Sequence, residues 1–185
     1  MLCVPAGLSA QTDPPAVAEL IERTWFEGLP IAEAAQLDEA DGLWLATQLA
    51  DPDAAAHHGN IAMALGACAC GPAFEALEAF ASDGDGPGTP PTKSRRALPQ
   101  AMGLLARHDP RALAWLQTRA QAPPPEPDKR EPRRLYALVL QGLGQSGAPA
   151  AGTQLAQIEA RAAASGDAAT ARWARQALRR WRQSR

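Results

Sequence analysis

The stretch DPDAAAHHGNIAMALGACACGPAFEALEAFAS, residues 51–82, carries the pattern from which the architecture follows. Asp51-Pro52-Asp53 is a turn and a helix cap, because an aspartate side chain accepts from the unpaired N–H groups of a first helical turn and proline has no N–H to lose there. From Ala54 to Gly66 the stripe Ala54, His58, Ile61, Leu65 and Cys68 follows a helical period. A second helix starts at Pro72 and buries Phe74, Leu77 and Ala81. The segment is therefore an α-hairpin with one apolar stripe per helix.

The same hairpin is written twice more. Arg95 to Arg107 (Leu98, Ala101, Met102, Leu105) is followed by a His108-Asp109-Pro110 turn, with His108 at the helix C-terminus, and by Arg111 to Gln121 (Leu113, Leu116). Arg133 to Gly144 (Leu135, Leu138, Val139, Gly142) leads through Gln145 to Ala148 into Pro149 to Ala164 (Leu155, Ile158, Ala162). Upstream, the pattern predicts helices from Pro14 to Phe26 (Val17, Leu20, Ile21, Trp25) and from Asp38 to Ala50 (Leu43, Leu45, Leu49). Downstream, a closing helix runs from Asp167 to Gln183 with Trp173, Ala177, Leu178 and Trp181. Gly66, Ala106 and Gly144 end the three leading helices at spacings of 40 and 38 residues. A hairpin with one stripe per helix cannot bury itself alone, so consecutive copies are expected to stack. Alanine fills 42 of the 185 positions, and the scarcity of Val, Ile, Phe and Tyr argues against any sheet.

Asp51-Pro52-Asp53 through Ala64-Leu65-Gly66, with Gly71-Pro72-Ala73 and Ala76-Leu77, resembles the short bacterial HEAT repeat of the type seen in phycobilisome lyases. Gly142-Leu143-Gly144 with Ala148-Pro149-Ala150 is a second match, and together they span residues 51–164. The resemblance implies an all-α, armadillo-type superhelix of about four hairpins plus a C-terminal capping helix, in one domain over residues 13–185. It says nothing of chemistry. The chain departs from the repeat where the family often carries an arginine, having His58 and Leu98 instead. Two segments, Ser82 to Thr92 and Ala122 to Pro132, join one hairpin to the next; the first is glycine-rich and the second is expected to be extended polyproline II.

Little in the chain offers catalytic chemistry. Asp83-Gly84-Asp85-Gly86 is similar to the start of a calcium loop, but the twelfth position is Ser94 where a bidentate glutamate is required. His57 stands too far along a helix from Cys68 to share a metal ion with it, and His58 is expected at the edge of the core. Cys68 and Cys70, if both lie on one helix, point to opposite sides and cannot bridge. No phosphate loop, zinc-protease helix or nucleophile elbow is present, so neither cofactor nor catalytic residue is expected. The opening MLCVPAGLSA is similar to the end of a secretory leader but has no basic start, which leaves export and cytoplasmic residence both open. No run reaches the roughly 18 apolar residues of a membrane span.

Charge is the clearest remaining signal. Residues 1–91 hold 14 acidic side chains and 1 basic one, whereas residues 92–185 hold 6 and 17. In a stack that keeps sequence order, this becomes an acidic end and a basic end. Arg96, Arg134 and Arg172 recur every 38 residues, with Arg95 and Arg133 beside the first two. Cations oppose the dipole at a helix start, so this column is a candidate contact for an acidic partner, against the alternative of solvated arginines covering alanine. Trp25, Trp173 and Trp181 fall on apolar stripes, while Trp44 and Trp115 are candidate partner anchors. The expected function is a non-catalytic scaffold that grips a protein partner. Two alternatives remain: nucleic-acid binding by the basic half, in the manner of HEAT-like alkylpurine DNA glycosylases, and charge-driven self-association.

Overall fold

Helix-forming composition and closely spaced caps produce ten α-helices and no strand among the residues described by the computed structural model, which are 14–23, 29–82, 92–122 and 124–185. They are α1 (Pro14–Glu22), α2 (Ile31–Ala34), α3 (Glu39–Ala50), α4 (His58–Cys68), α5 (Ala73–Ser82), α6 (Thr92–Leu105), α7 (Pro110–Gln121), α8 (Arg130–Ser146), α9 (Pro149–Ala164) and α10 (Ala168–Gln183). Trp25, the leader-like start and the Asp83 to Gly86 run lie outside the described residues.

The caps are those aspartates supply. Asp38 accepts from the N–H groups of Ala40 and Asp41, and Asp41 accepts from the N–H of Asp38, closing a capping box at the head of α3. Asp109 and Asp167 cap α7 and α10 through Arg111 N and Thr170 N. Residues 52–54 form a 3₁₀ turn instead of the first turn of α4, so that helix begins at His58. The reason is Asp51, which accepts from Asp53 N and winds the chain tightly. Two further expectations change. Leu43 does not join the buried stripe of α3 and stays 55% exposed, while Leu45 and Leu49 are buried. α2 was not expected, having only four residues.

α4, α6, α8 and α10 lie side by side in that order, each against the next, while α5, α7 and α9 cover them and meet one another hardly at all. α2 and α3 extend the same two layers upstream, against α4 and α5. One continuous core runs from Val17 to Leu178, with Leu65, Met102, Leu116, Leu140, Leu143 and Leu155 inaccessible to solvent.

The contacts along the inner row are made backbone to backbone. A Cβ placed on Gly66 would collide with the Ala101 carbonyl, one on Gly142 with the Pro99 carbonyl, and one on Gly144 with the Ala177 carbonyl. Gly103, facing Gly142, is equally closed, with the Gly142 oxygen at 2.6 Å. The tight position of the middle repeat is thus Gly103, not Ala106, which lies in the turn after α6. Side chains then tie the hairpins through backbone carbonyls: Asn60 Nδ2 donates to Ile21 O (2.8 Å), Arg107 to Gln145 O (3.0 Å), Gln154 Nε2 to Gln117 O (2.9 Å) and Trp181 Nε1 to Ala148 O (2.8 Å). The bonds to Ile21 and Gln145, in the last turns of α1 and α8, satisfy carbonyls of the kind that helix ends leave without partners.

α4 ends at Cys68 because Ala69 takes a left-handed conformation (φ 51°). That turn brings Cys70 back beside Cys68, and the two sulfurs are bonded at 2.22 Å. The opposed geometry expected of two cysteines on one helix therefore does not arise, since Cys70 has left the helix.

Two changes in stability follow. Gly142→Ala should destabilise by about 1–3 kcal/mol through overpacking against Pro99 and Leu116, although alanine gains up to ~1 kcal/mol in helix propensity. Ala69→Gly should stabilise by about 0.5–1 kcal/mol, relief of roughly 1–2 kcal/mol of left-handed strain outweighing the extra chain entropy of glycine. Urea unfolding followed by circular dichroism checks both.

Candidate functional site

The arginines at the heads of the basic helices divide into paired and exposed ones. Arg96, on α6, holds Glu131 of α8 through two parallel hydrogen bonds, Nε to Oε1 at 2.9 Å and Nη2 to Oε2 at 2.5 Å. Arg133, on α8, reaches Asp167 at the head of α10 (3.0 Å), donates to Pro125 O and lies over the Trp173 ring. Each of these arginines thus braces its own hairpin against the next. The opposing helix dipole is tolerated because a carboxylate is supplied from the following repeat. Arg134 and Arg172 are exposed and make no ion pair with another described residue.

The other pairs obey the same logic. Arg111, on α7, spans Asp109 in its own cap and Glu75 on α5, with its guanidinium over Phe74 at 4.5 Å. Arg175 meets Glu159 across α9 and α10 (2.7 Å). These contacts set the electrostatics. Arg111 holds the Asp109 and Glu75 carboxyls below their ordinary range, and Arg96 does the same to Glu131. Asp167 is lowered chiefly by the Thr170 hydroxyl at 2.6 Å, then by Thr170 N and Arg133.

The tryptophans divide. Trp44 is half-buried against the core rather than free as an anchor. Trp115 is 93% covered, with Arg119 stacked on its ring at 3.5 Å and its Nε1–H without a hydrogen-bond partner. Arg95 lines the same cavity as Trp115, and its Nε is also buried without a partner. His58 sits inside the fold as expected, Nε2 against Asp51 O (2.9 Å) and the ring edge-on to Phe80. No cluster of three metal-binding side chains occurs among the described residues, and no helix there is long and apolar enough to cross a membrane.

A polar wall lies along the inner row. Gln100 on α6, Gln141 on α8 and Gln176 on α10 line one cleft of about 400 Å³ with Arg179, Arg180 and Gln183. The three glutamines make no hydrogen bond with another described residue, so each amide keeps both donor and acceptor free. Each directly precedes a residue of the close backbone contacts: Gln100 before Ala101, Gln141 before Gly142 and Gln176 before Ala177. That pairing of glutamine with a small residue was present in the sequence. It escapes a search for charged or aromatic side chains because amides neither titrate nor stack.

Because the paired carboxyls titrate below their unfolded values, their contribution is complete above about pH 4 and is lost as pH falls through the folded values. Thermal melts between pH 6 and pH 2.5 should show falling stability below about pH 4. Asp167→Ala should lose ~1 kcal/mol at pH 7, the usual worth of a cap, and show a shallower acid decline.

Comparison of the chain with protein-family models, with curated proteins and with solved structures finds no match.

Proposed function

We propose that the chain is a non-catalytic HEAT-like superhelical scaffold that holds an extended segment of a protein partner along the α6, α8 and α10 row. The single observation that carries this reading is the run of unengaged amides at Gln100, Gln141 and Gln176 beside Arg179 and Arg180. Amides in a row match the alternating N–H and C=O groups of an extended peptide, while the two arginines favour acidic side chains on it.

The superhelical part of the proposal rests on unequal spacing. Glycine and alanine let α4, α6, α8 and α10 approach closely, whereas α5, α7 and α9 stand apart. Two layers of unequal spacing tend to curve toward the tighter one, which supports a concave side that carries the glutamines. Serial contacts also carry the charge asymmetry into space, the acidic residues gathering with α1 to α5 and the basic ones with α6 to α10. A phosphate-binding reading is weaker, because Arg96, Arg111, Arg133 and Arg175 are engaged by carboxylates of the same chain.

The test is affinity capture from extract of the native cell, comparing the wild type with a Gln141→Ala, Arg179→Glu, Arg180→Glu variant of unchanged helicity. The expected result is a specific protein retained by the wild type at about 0.15 M salt and reduced at least ~10-fold by the variant. Recovery of nothing specific, or equal recovery by both proteins, overturns the reading.

A further inference from the structure

A second site lies between α6, α7 and α8, apart from the glutamine wall. The cavity has a volume of about 370 Å³, within the usual range for small-molecule sites of roughly 300–1,000 Å³. Leu98, Pro99, Leu135 and Val139 supply apolar walls, and Arg95, Trp115 and Arg119 supply the polar groups. No carboxylate among the described residues lines it. Buried N–H groups are almost always hydrogen-bonded, because leaving one bare forfeits its hydration without return. Two unpartnered donors, Trp115 Nε1 and Arg95 Nε, nevertheless belong to residues lining this one space.

Arg119 adds a second cation that lacks an ion pair with any described residue, its guanidinium lying flat on Trp115. Burial disfavours its charged form, and Glu78 opposes this only from a distance. The cavity therefore offers apolar surface, hydrogen-bond donors and positive charge with no described carboxylate paired to it. A ligand complementary to it has an apolar body and a single anionic end whose oxygens accept from the donors.

We infer that this cavity binds a small apolar monocarboxylate, a medium-chain or aryl-alkyl acid, whose carboxylate is taken by Arg95, Arg119 and the Trp115 indole N–H while its body lies against Leu98, Leu135 and Val139. A di- or trianion is a poorer match, since its further charges would meet Leu and Pro walls without donors. The inference does not rest on the scaffold reading, as none of its residues belongs to the glutamine cleft.

The experiment is a titration of the full chain with octanoate and with 3-phenylpropanoate at pH 7, followed by ¹H–¹⁵N correlation spectra of the indole N–H groups. The Trp115 signal is assigned through Trp115→Phe. The expected result is a saturable downfield shift of that one indole signal with Kd below ~1 mM, and binding of octan-1-ol at least ~10-fold weaker. Arg95→Gln should weaken octanoate ~10-fold or more and leave octan-1-ol unchanged. Arg119→Gln serves the same purpose if Arg95→Gln does not fold. No shift of the Trp115 signal at millimolar octanoate, equal affinity for acid and alcohol, or shifts confined to the other tryptophans would each overturn the inference.

Discussion

Everything in this protein depends on helices that touch through bare backbone. Gly66 against Ala101, Gly103 and Gly142 against each other, and Gly144 against Ala177 bring α4, α6, α8 and α10 closer than any side chain larger than a methyl group allows. At that distance the leucines beside them, Leu65, Leu105, Leu140 and Leu143, are sealed from water on every side. The closeness also fixes what faces outward. The residues directly before Ala101, Gly142 and Ala177 sit at the rim of the seam, where three glutamines from three helices share one cleft.

Charge plays a different part from the one its distribution suggests. A chain with nearly all its acid in one half and its base in the other invites a picture of two poles meeting partners. Within the basic half, however, the few carboxylates are placed where they matter most: Glu131, Glu159 and Asp167 each take an arginine of a neighbouring helix. Exposed pairs of this kind contribute little individually, typically below about 1 kcal/mol. Their value here is geometric, since a two-point contact such as Arg96 with Glu131 fixes the angle between consecutive hairpins.

The helical character and the order of the helices were legible in the sequence, because alanine-rich periodicity and aspartate or proline caps act locally, although α6 and α8 begin at Thr92 and Arg130, three residues ahead of the expected Arg95 and Arg133. What remained hidden depends on distance in space. Leu43 has the right chemistry for a core but the wrong face of α3. Ala54 fits the stripe of α4 but is held in a 3₁₀ turn by Asp51. Arg96 and its column neighbour Arg133 looked like contacts for a ligand because their carboxylate partners lie 35 and 34 residues away, beyond the reach of any local rule. Trp115 and Arg95 were singled out separately, by residue type and by the repeat; that they line one cavity follows only from how α6, α7 and α8 pack.

The serial order of the contacts has a kinetic consequence. Every substantial contact joins elements at most three apart in the chain, so no piece must wait for a remote partner before it can form. Chains with such short sequence separations between touching residues fold fast. The α6–α8–α10 seam, with its closed backbone contacts and the cover of α9, can therefore form without the acidic end being in place.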